Sequence, residues 1–244
     1  MSEQNPVALL TDATEFIGPA VVELFTAKGA TVLAADPSFN DETAAAAFKG
    51  DNPNVIPIIQ TNSAETVARA KHHREEIDIL CVGGAHPATK TTASQLQEDV
   101  TRSFFENLAM EPLAYVSHLV EGMKARQYGR IVFLSSSGPI GGIPNYTAYA
   151  SARAALNGAV RSLSMELSSS GISVNAIAAN FVATEAYFPK ALIEQPDVRA
   201  KILSRVPIKR FGDPSEAARA VAFFALEDSR FITGQVLSVS GGWS

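Results

Sequence analysis

Short apolar segments alternate with longer amphipathic segments along nearly the whole chain. The apolar segments have few polar interruptions, which is typical of parallel strands covered by helices on both faces. They predict seven strands, at residues 7–10, 31–35, 55–59, 77–82, 130–134, 174–177 and 236–239. The amphipathic segments predict helices at residues 19–28, about 41–49, about 64–73, about 98–126 and 146–167.

Alternation of strands and helices favours an α/β fold with a doubly wound sheet. We expect a single Rossmann-like domain over residues 1–244, with a seven-stranded parallel sheet and helices on both faces. The chain has no internal repeat and no linker rich in Pro, Gly or Ser that would divide it into two domains. Ligands of such folds bind at the carboxyl ends of the strands, so candidate chemistry is sought there.

Composition narrows the class of protein. Hydrophobic residues make up 46% of the chain and charged residues 18%, which is enough apolar material for a core. The net charge of −5 differs from the clustered basic surface of most nucleic-acid-binding proteins. A single cysteine and four scattered histidines offer no zinc-ligand spacing. With no leader pattern or membrane-spanning segment in the sequence, we expect a cytoplasmic protein without metal, nucleic acid or membrane partners.

The first strand-to-helix turn lacks the glycines of a dinucleotide site. Such loops use glycine so that backbone N–H groups approach a pyrophosphate closely. Here the turn spans residues 11–18, and only Gly18 is a glycine. Glu15 adds negative charge and Phe16 adds bulk, while we expect Asp36 to cap its own turn instead of binding a ribose. The loop therefore predicts that the chain has no functional nicotinamide site. The alternative is a dinucleotide site that has lost its glycines but still works.

A serine, a tyrosine and an arginine form a candidate catalytic set. Ser136 follows the fifth strand, and Tyr149 and Arg153 are four residues apart on one helix. A phenol has a pKa near ~10, which a neighbouring guanidinium lowers because it stabilises the phenolate. Ser136 can hold a substrate oxygen against that base. A Tyr–Arg pair alone is more often a surface stacking contact, but the serine at this spacing favours catalysis.

These residues resemble the short-chain dehydrogenase/reductase superfamily over essentially the full length. Ser136, the Tyr149 helix, residues 175–180 and the C-terminal residues 233–243 carry the resemblance. The positions that bind the cofactor and carry the catalytic lysine in that superfamily differ here. The Gly-x-x-x-Gly-x-Gly loop of the superfamily would place glycines at Asp12 and Phe16, and the lysine of its Tyr-x-x-x-Lys motif is Arg153 here.

The departures themselves resemble the halohydrin (haloalcohol) dehalogenases. Thr11-x4-Phe16-x-Gly18 and Ser136-x12-Tyr149-x3-Arg153 together match that family's pattern. The resemblance implies a cofactor-independent enzyme that converts vicinal haloalcohols into epoxides, halide and a proton. It also implies ring opening of epoxides by halide, azide, cyanide and nitrite, and assembly as a homotetramer.

The resemblance also implies roles for individual residues. Tyr149 would be the general base, Arg153 would hold its pKa down, and Ser136 would position the substrate oxygen. Asn180, Phe181 and the nearby backbone N–H groups would receive the leaving halide.

The remaining pocket residues follow from the same resemblance. Phe16 would close the volume that a nicotinamide occupies in the reductases, and Tyr187 and Pro139 would line the substrate pocket. Ordinary core packing is the alternative for Phe16, Phe181 and Tyr187. We expect Trp243 to be buried and to line or buttress a substrate pocket of its own or a neighbouring subunit, with packing inside its own chain as the alternative.

Two other functions remain open from the sequence. An NAD(P)-dependent short-chain oxidoreductase with an atypical cofactor loop is one, and saturable nicotinamide binding would identify it. A catalytically dead fold used for binding is the other, although the intact set of Ser136, Tyr149 and Arg153 argues against it.

Overall fold

A computed structural model describes residues 5–84, 86 and 88–244 of the chain. Seven strands form one sheet, and every pairing in it is parallel. The strands are β1 Val7–Leu10, β2 Thr31–Asp36, β3 Val55–Ile59, β4 Ile79–Val82, β5 Gly129–Ser136, β6 Ile172–Ala179 and β7 Val236–Val239. Their order is β3-β2-β1-β4-β5-β6-β7. The chain therefore adds β2 and β3 on one side of β1 and adds β4 to β7 on the other side. The predicted Rossmann-like fold is confirmed.

Helices flank the sheet on both sides. They are α1 Gly18–Ala27, α2 Glu42–Lys49, α3 Ser63–His73, α4 Glu98–Phe105, α5 Glu111–Arg126, α6 Gly138–Gly141, α7 Thr147–Leu167, α8 Lys190–Ile193, α9 Pro196–Leu203 and α10 Pro214–Ala225. None of the helices in the described chain is long and apolar enough to cross a bilayer.

Two apolar layers hold the helices to the sheet. Successive strand residues point to opposite faces, so Leu10 packs with α1 and α10 while its neighbour Leu9 packs with α3, α5 and α7. Every residue of β2, β5 and β6 is buried, as expected for strands covered on both faces. The ends of these strands are therefore a rigid platform for the side chains that follow them.

The long helix predicted for residues 98–126 is interrupted by a π-helical turn at Glu106–Met110. The interruption coincides with a close approach of two backbones, since a Cβ at Gly84 would lie 2.1 Å from the Asn107 carbonyl oxygen. Pro112 at the start of α5 lacks the N–H that a continuous ladder would use. The Asn107 side chain donates to the Ser103 carbonyl at 2.8 Å, within its own helix.

The helix α10 is absent from the set predicted by hydrophobic pattern. Its start carries a capping box in which Asp213 accepts from the backbone of the first turn and Glu216 accepts from the Asp213 N–H. The tetrapeptide 213–216 contains this pattern, so the helix could have been found from its cap. It packs against α1 and completes one face of the sheet.

Candidate active site

A cavity of about 300 Å³ opens at the carboxyl edge of the sheet, where β5 and β6 end. The strand register pairs Ser136 with Ala179, so the residues that follow each strand meet at this edge. Its lining is mostly apolar and aromatic, with hydroxyl, amide and guanidinium groups among it. Its lining residues include Phe16, Ser136, Ile143, Tyr149, Arg153, Asn180, Phe181, Tyr187, Ile202 and Arg205.

Ser136 is fixed by its own backbone surroundings. Its Oγ accepts a hydrogen bond from the Gly138 N–H at 3.0 Å, and the residue is buried. Because Oγ is already an acceptor, its hydroxyl hydrogen is available to a substrate oxygen. The side chain is thereby presented as a donor toward the cavity.

One face of α7 carries three polar residues spaced four apart, Tyr149, Arg153 and Asn157. Asn157 accepts from the Ser135 hydroxyl at 2.6 Å and donates to the Ser136 carbonyl at 3.2 Å. These two bonds join the middle of α7 to the end of β5. They hold Tyr149 and Arg153 in register with Ser136, and Asn157 is a positioning residue that sequence reasoning missed. The i+4 spacing beyond Arg153 could have identified it.

Arg153 is a buried cation held by backbone carbonyls. Its Nη1 donates to the Gly83 and Leu134 oxygens at 2.7 and 3.1 Å, and its Nη2 donates to the Gly84 oxygen at 3.2 Å. Its guanidinium carbon lies 5.6 Å from the centre of the Tyr149 ring.

Arg153 remains positively charged although it is buried. Burial acts to lower the pKa of Arg153, but the phenols of Tyr149 and Tyr187 beside it raise the pKa above its ordinary value. A fixed positive charge therefore stands beside the Tyr149 ring. The arrangement can remove a proton from a hydroxyl that Ser136 holds in place.

Four residues separate this cavity from a second one of about 460 Å³. Phe16, Arg153, Ala186 and Tyr187 line both cavities and so form the dividing wall. The Phe16 and Tyr187 rings meet edge to face with centroids 5.4 Å apart. Burial raises the pKa of Tyr187 to about 12, with Tyr149 acting in the same direction and Arg153 opposing it. Tyr187 is therefore a neutral phenol at pH 7 and can donate a hydrogen bond.

The segment after β6 differs from the expected anion receptor in one respect. The Asn180 N–H donates to the Val239 carbonyl at 3.1 Å, and the Phe181 N–H donates to the Asn180 Oδ1 at 2.8 Å. Both backbone donors are engaged, so neither can receive a halide as the sequence suggested. The Asn180 side-chain amide NH₂ and the Val182 N–H remain as donors of this segment at the cavity, with the buried Phe181 ring beside them.

Two expected pocket residues lie behind the cavity instead of on its wall. Pro139 is the second residue of the single turn of α6, and Ile143 beyond that turn provides the lining. Trp243 is half-buried and packs within its own chain, edge to face on Phe181 with centroids 5.4 Å apart. A Cβ at Gly141 would meet the indole at 2.5 Å, so glycine there makes room for it. Trp243 thus buttresses the lining residue Phe181.

The loop at residues 11–18 has few backbone donors left for a phosphate. The N–H groups of Thr11, Ala13, Glu15 and Gly18 donate to backbone carbonyls. The Asp12 N–H donates to the Gln60 side chain at 2.8 Å, and the Thr14 N–H donates to Asp36 at 2.9 Å. A pyrophosphate cradle depends on such groups being free, so these residues do not fit one.

In the same loop, two residues that are not glycine adopt a backbone conformation typical of glycine. Asp12 and Phe16 have φ values of +51°, in the left-handed region that glycine favours. The Asp36 carboxylate is fully engaged by the N–H and hydroxyl groups of Thr14 and Ser38, at 2.6–2.9 Å. The second cavity is lined by Asp36, Asp12 and Glu15, whose charges repel a phosphate.

Two further lining residues were not expected as site residues from the sequence. His86 lines the second cavity and packs edge to face on Phe104, with centroids 4.9 Å apart. Burial and then the charge of Arg153 lower the pKa of His86, which favours its neutral form. Arg205 lines the catalytic cavity just beyond α9, where no sequence motif marked it. The described residues hold no group of three or more His, Cys, Asp or Glu side chains suited to a metal ion.

Comparison with known proteins places the chain in one large group of enzymes. The family model described as Enoyl-(Acyl carrier protein) reductase matches residues 13–244. Among curated proteins, the 3-oxoacyl-[acyl-carrier-protein] reductase FabG of Vibrio harveyi is 33% identical over 246 residues. That match covers 99% of this chain and 98% of the reductase.

Two similar solved structures are dehalogenating enzymes. One, described as a dehalogenation enzyme, is 36% identical, covers 100% of both chains and superimposes with a TM-score of 0.95. The other is a halohydrin dehalogenase bound to ethyl (2S)-oxiran-2-ylacetate. It is 28% identical with a TM-score of 0.92, and the match covers 97% of this chain and 96% of that one.

Proposed function

The chain belongs to the short-chain dehydrogenase/reductase superfamily, and on that premise we propose that it is a cofactor-independent halohydrin dehalogenase, a carbon–halide lyase. One observation carries the proposal. Ser136, Tyr149 and Arg153 line a cavity that Phe16 and Tyr187 close on the side of the altered dinucleotide loop. The likeness to two dehalogenating enzymes supports it.

The proposed reaction is an intramolecular displacement in a vicinal haloalcohol. The Tyr149 phenolate takes the hydroxyl proton while Ser136 donates a hydrogen bond to the same substrate oxygen. That oxygen forms a bond to the adjacent carbon, the carbon–halogen bond breaks, and the electron pair leaves with the halide. The products are an epoxide, a halide ion and the proton now on Tyr149.

Other residues of the chain would stabilise the two negative charges of this reaction, one on the phenolate and one on the halide. Arg153 stabilises the phenolate before the proton is taken, and its three carbonyl contacts keep it from swinging away. The Asn180 amide and the neutral Tyr187 hydroxyl are the donors for the halide. Apolar walls at Phe16 and Phe181 suit a weakly hydrated anion and exclude water that would open the epoxide.

The reverse reaction follows from the same site. A halide or another small anion such as azide, cyanide or nitrite attacks the epoxide carbon, and Tyr149 returns the proton to the ring oxygen. We further propose a cytoplasmic homotetramer that acts on small haloalcohols and epoxides, without a cofactor, nucleic acid or membrane as partner.

A nicotinamide-dependent oxidoreductase is the second candidate, since the curated relative at 33% identity is a reductase. The engaged loop N–H groups and the acidic second cavity argue against it. Two measurements separate the candidates. We expect bromide release from 1-bromo-2-propanol without added cofactor, and no saturable change in NADH or NADPH fluorescence at micromolar protein. Saturable nicotinamide binding without halide release would overturn the proposal.

A further inference from the structure

The catalytic cavity differs in charge from the protein as a whole. The chain carries a net charge of −5, yet the charged groups among the cavity's described lining residues are two arginines, Arg153 and Arg205. No aspartate or glutamate belongs to that described lining. The cavity therefore presents a positive lining to any ligand that enters it.

The two arginines differ in burial and in what their guanidinium groups bind. Arg153 is buried and its guanidinium is bound to backbone carbonyls, so it stays beside the general base Tyr149. Arg205 is exposed, and its side chain makes no ion pair or hydrogen bond with any other described residue. Its neighbour Arg199 stacks on Phe211, and Arg210 forms a two-pronged ion pair with a glutamate. Of these three surface arginines, Arg205 alone has neither an aromatic ring nor a carboxylate as partner among the described residues.

We propose that Arg205 binds a carboxylate of the substrate, so that the enzyme prefers haloalcohols and epoxides carrying an acid group away from the reacting carbons. This inference rests on the proposed function. A planar guanidinium matches a carboxylate with two parallel hydrogen bonds, which a spherical halide cannot reproduce.

The lining of the cavity fits a ligand with two polar ends. The reacting oxygen belongs at the buried end beside Ser136 and Tyr149, and the exposed Arg205 lies at the solvent side. Apolar lining from Ile143 and Ile202 suits the carbon chain between the two ends. A volume of about 300 Å³ suits a small molecule such as 4-chloro-3-hydroxybutanoate, whose carboxylate and reacting carbons lie at opposite ends.

The test compares an acid with its neutral ester. Chloride release is measured with 4-chloro-3-hydroxybutanoate and with its ethyl ester, and the ratio of kcat/KM for the acid to that for the ester is taken. We expect Arg205→Gln to lower this ratio about tenfold, because a charge-assisted pair is lost from the acid alone. Arg205→Lys should restore part of the ratio, since it keeps the charge but not the planar fork.

The control is Lys201→Gln, which removes one positive charge from α9 at a residue outside the cavity lining. It should leave the ratio unchanged. Added salt should lower the wild-type ratio but not that of Arg205→Gln, because an exposed ion pair is screened. An equal ratio in the wild type and Arg205→Gln would overturn the inference.

Binding without turnover separates this inference from the proposed function. Calorimetry with 3-hydroxybutanoate, which has no leaving group, should show weaker binding to Arg205→Gln than to the wild type. Ethyl 3-hydroxybutanoate should bind both proteins equally. If the wild type released no chloride, the proposed function would fail while this binding difference still supported the role of Arg205. If Arg205→Gln instead raised the KM for azide with a neutral epoxide, Arg205 would serve the nucleophile and the inference would be wrong.

Discussion

Tyr149 differs from phenylalanine at one atom, its phenol oxygen, and the proposed chemistry takes place there. We expect Tyr149→Phe to lower kcat for dehalogenation by at least about 100-fold, since no other residue replaces the general base. The fold should be retained because the ring still packs between Phe104 and Arg153. Bromide release and the circular dichroism spectrum measure the two effects.

Tyr128→Phe is the matched control for that variant. It makes the same chemical change at a residue outside both cavities, where the ring stacks under Arg130. It should keep the wild-type rate. Wild-type turnover by a folded Tyr149→Phe protein would exclude Tyr149 as the base.

Arg153 tests the electrostatic part of the site. Arg153→Lys keeps a positive charge, but one compact ammonium cannot reach three carbonyl oxygens and still face the Tyr149 ring. We expect activity to fall about tenfold or more and the pH–rate profile to change, because the planar guanidinium beside the Tyr149 ring is replaced by a point charge. Rates from pH 6 to pH 10 measure this, and an unchanged profile would show that Arg153 does not tune the base.

Sequence reasoning at the level of residues succeeded where spacing decides geometry. Tyr149 and Arg153 share a helix face by periodicity, and a residue directly after a parallel strand lies at the ligand-binding edge. It could not show which donors of the Asn180 segment are engaged, because that depends on a hydrogen bond to β7 formed by distant chain. It also could not identify Arg205, whose place follows from the path of an irregular segment.

At the scale of elements, Asp36 links β2 to the loop before α1. Its buried carboxylate accepts four hydrogen bonds, from the N–H and hydroxyl groups of Thr14 and Ser38. We expect Asp36→Ala to lower the free energy of unfolding by about 2–3 kcal/mol, because four partly buried hydrogen bonds to a charged group are lost. Asp41→Ala, which removes an exposed cap from α2, should cost about 1 kcal/mol. Urea denaturation of both variants measures the difference, and equal costs would contradict the role assigned to Asp36.

The start of α10 predicts a pH dependence of stability. Arg210 donates to both oxygens of Glu216 at 2.6 and 2.7 Å, and this pairing lowers the pKa of Glu216 to about 2 from 4.5. A carboxyl with a lowered pKa stabilises the fold fully above the unfolded value and loses that contribution as pH falls from 4.5 toward 2.

Glu216→Gln therefore should lower Tm at pH 7 by about 1–2 °C, a small effect because the pair is partly exposed and screened. The gap between the variant and the wild type should narrow below pH 4.5. Calorimetry at several pH values measures it. A gap that stayed constant down to pH 3.5 would show that the ion pair is not the cause.

Prediction of elements from the sequence was accurate where a single periodicity applied. Seven apolar segments gave seven strands in the right order along the chain, although β5 and β6 extend two residues further toward the site. The π-helical turn at Glu106–Met110 could not be predicted, since a contact with Gly84 accompanies it across the fold. Helices α8 and α9 lie between loops of irregular path, where hydrophobic spacing carries little information.

At the scale of the whole molecule, large apolar side chains remain exposed on two separate surfaces. Phe231, in the segment before the edge strand β7, is fully exposed and marks the first surface. Met165 of α7 and Phe223 of α10 are exposed as well. A second surface near α4 and α5 exposes Met110 and Leu96 beside one shallow groove. Exposed apolar surfaces of this kind usually mark protein interfaces, and an unpaired edge strand invites pairing.

Two distinct self-complementary surfaces would give two kinds of two-fold interface, and two such axes together generate a tetramer. We therefore expect the wild type to sediment as a homotetramer at micromolar concentration. Phe231→Asp and Met110→Asp should each yield dimers, because each buries a carboxylate in only one of the two interfaces. The double variant should yield monomers, and Lys49→Asp, at an exposed site of α2 beside β3 on the opposite edge of the sheet, should remain tetrameric. A fully active wild-type monomer in the ultracentrifuge would contradict this assembly.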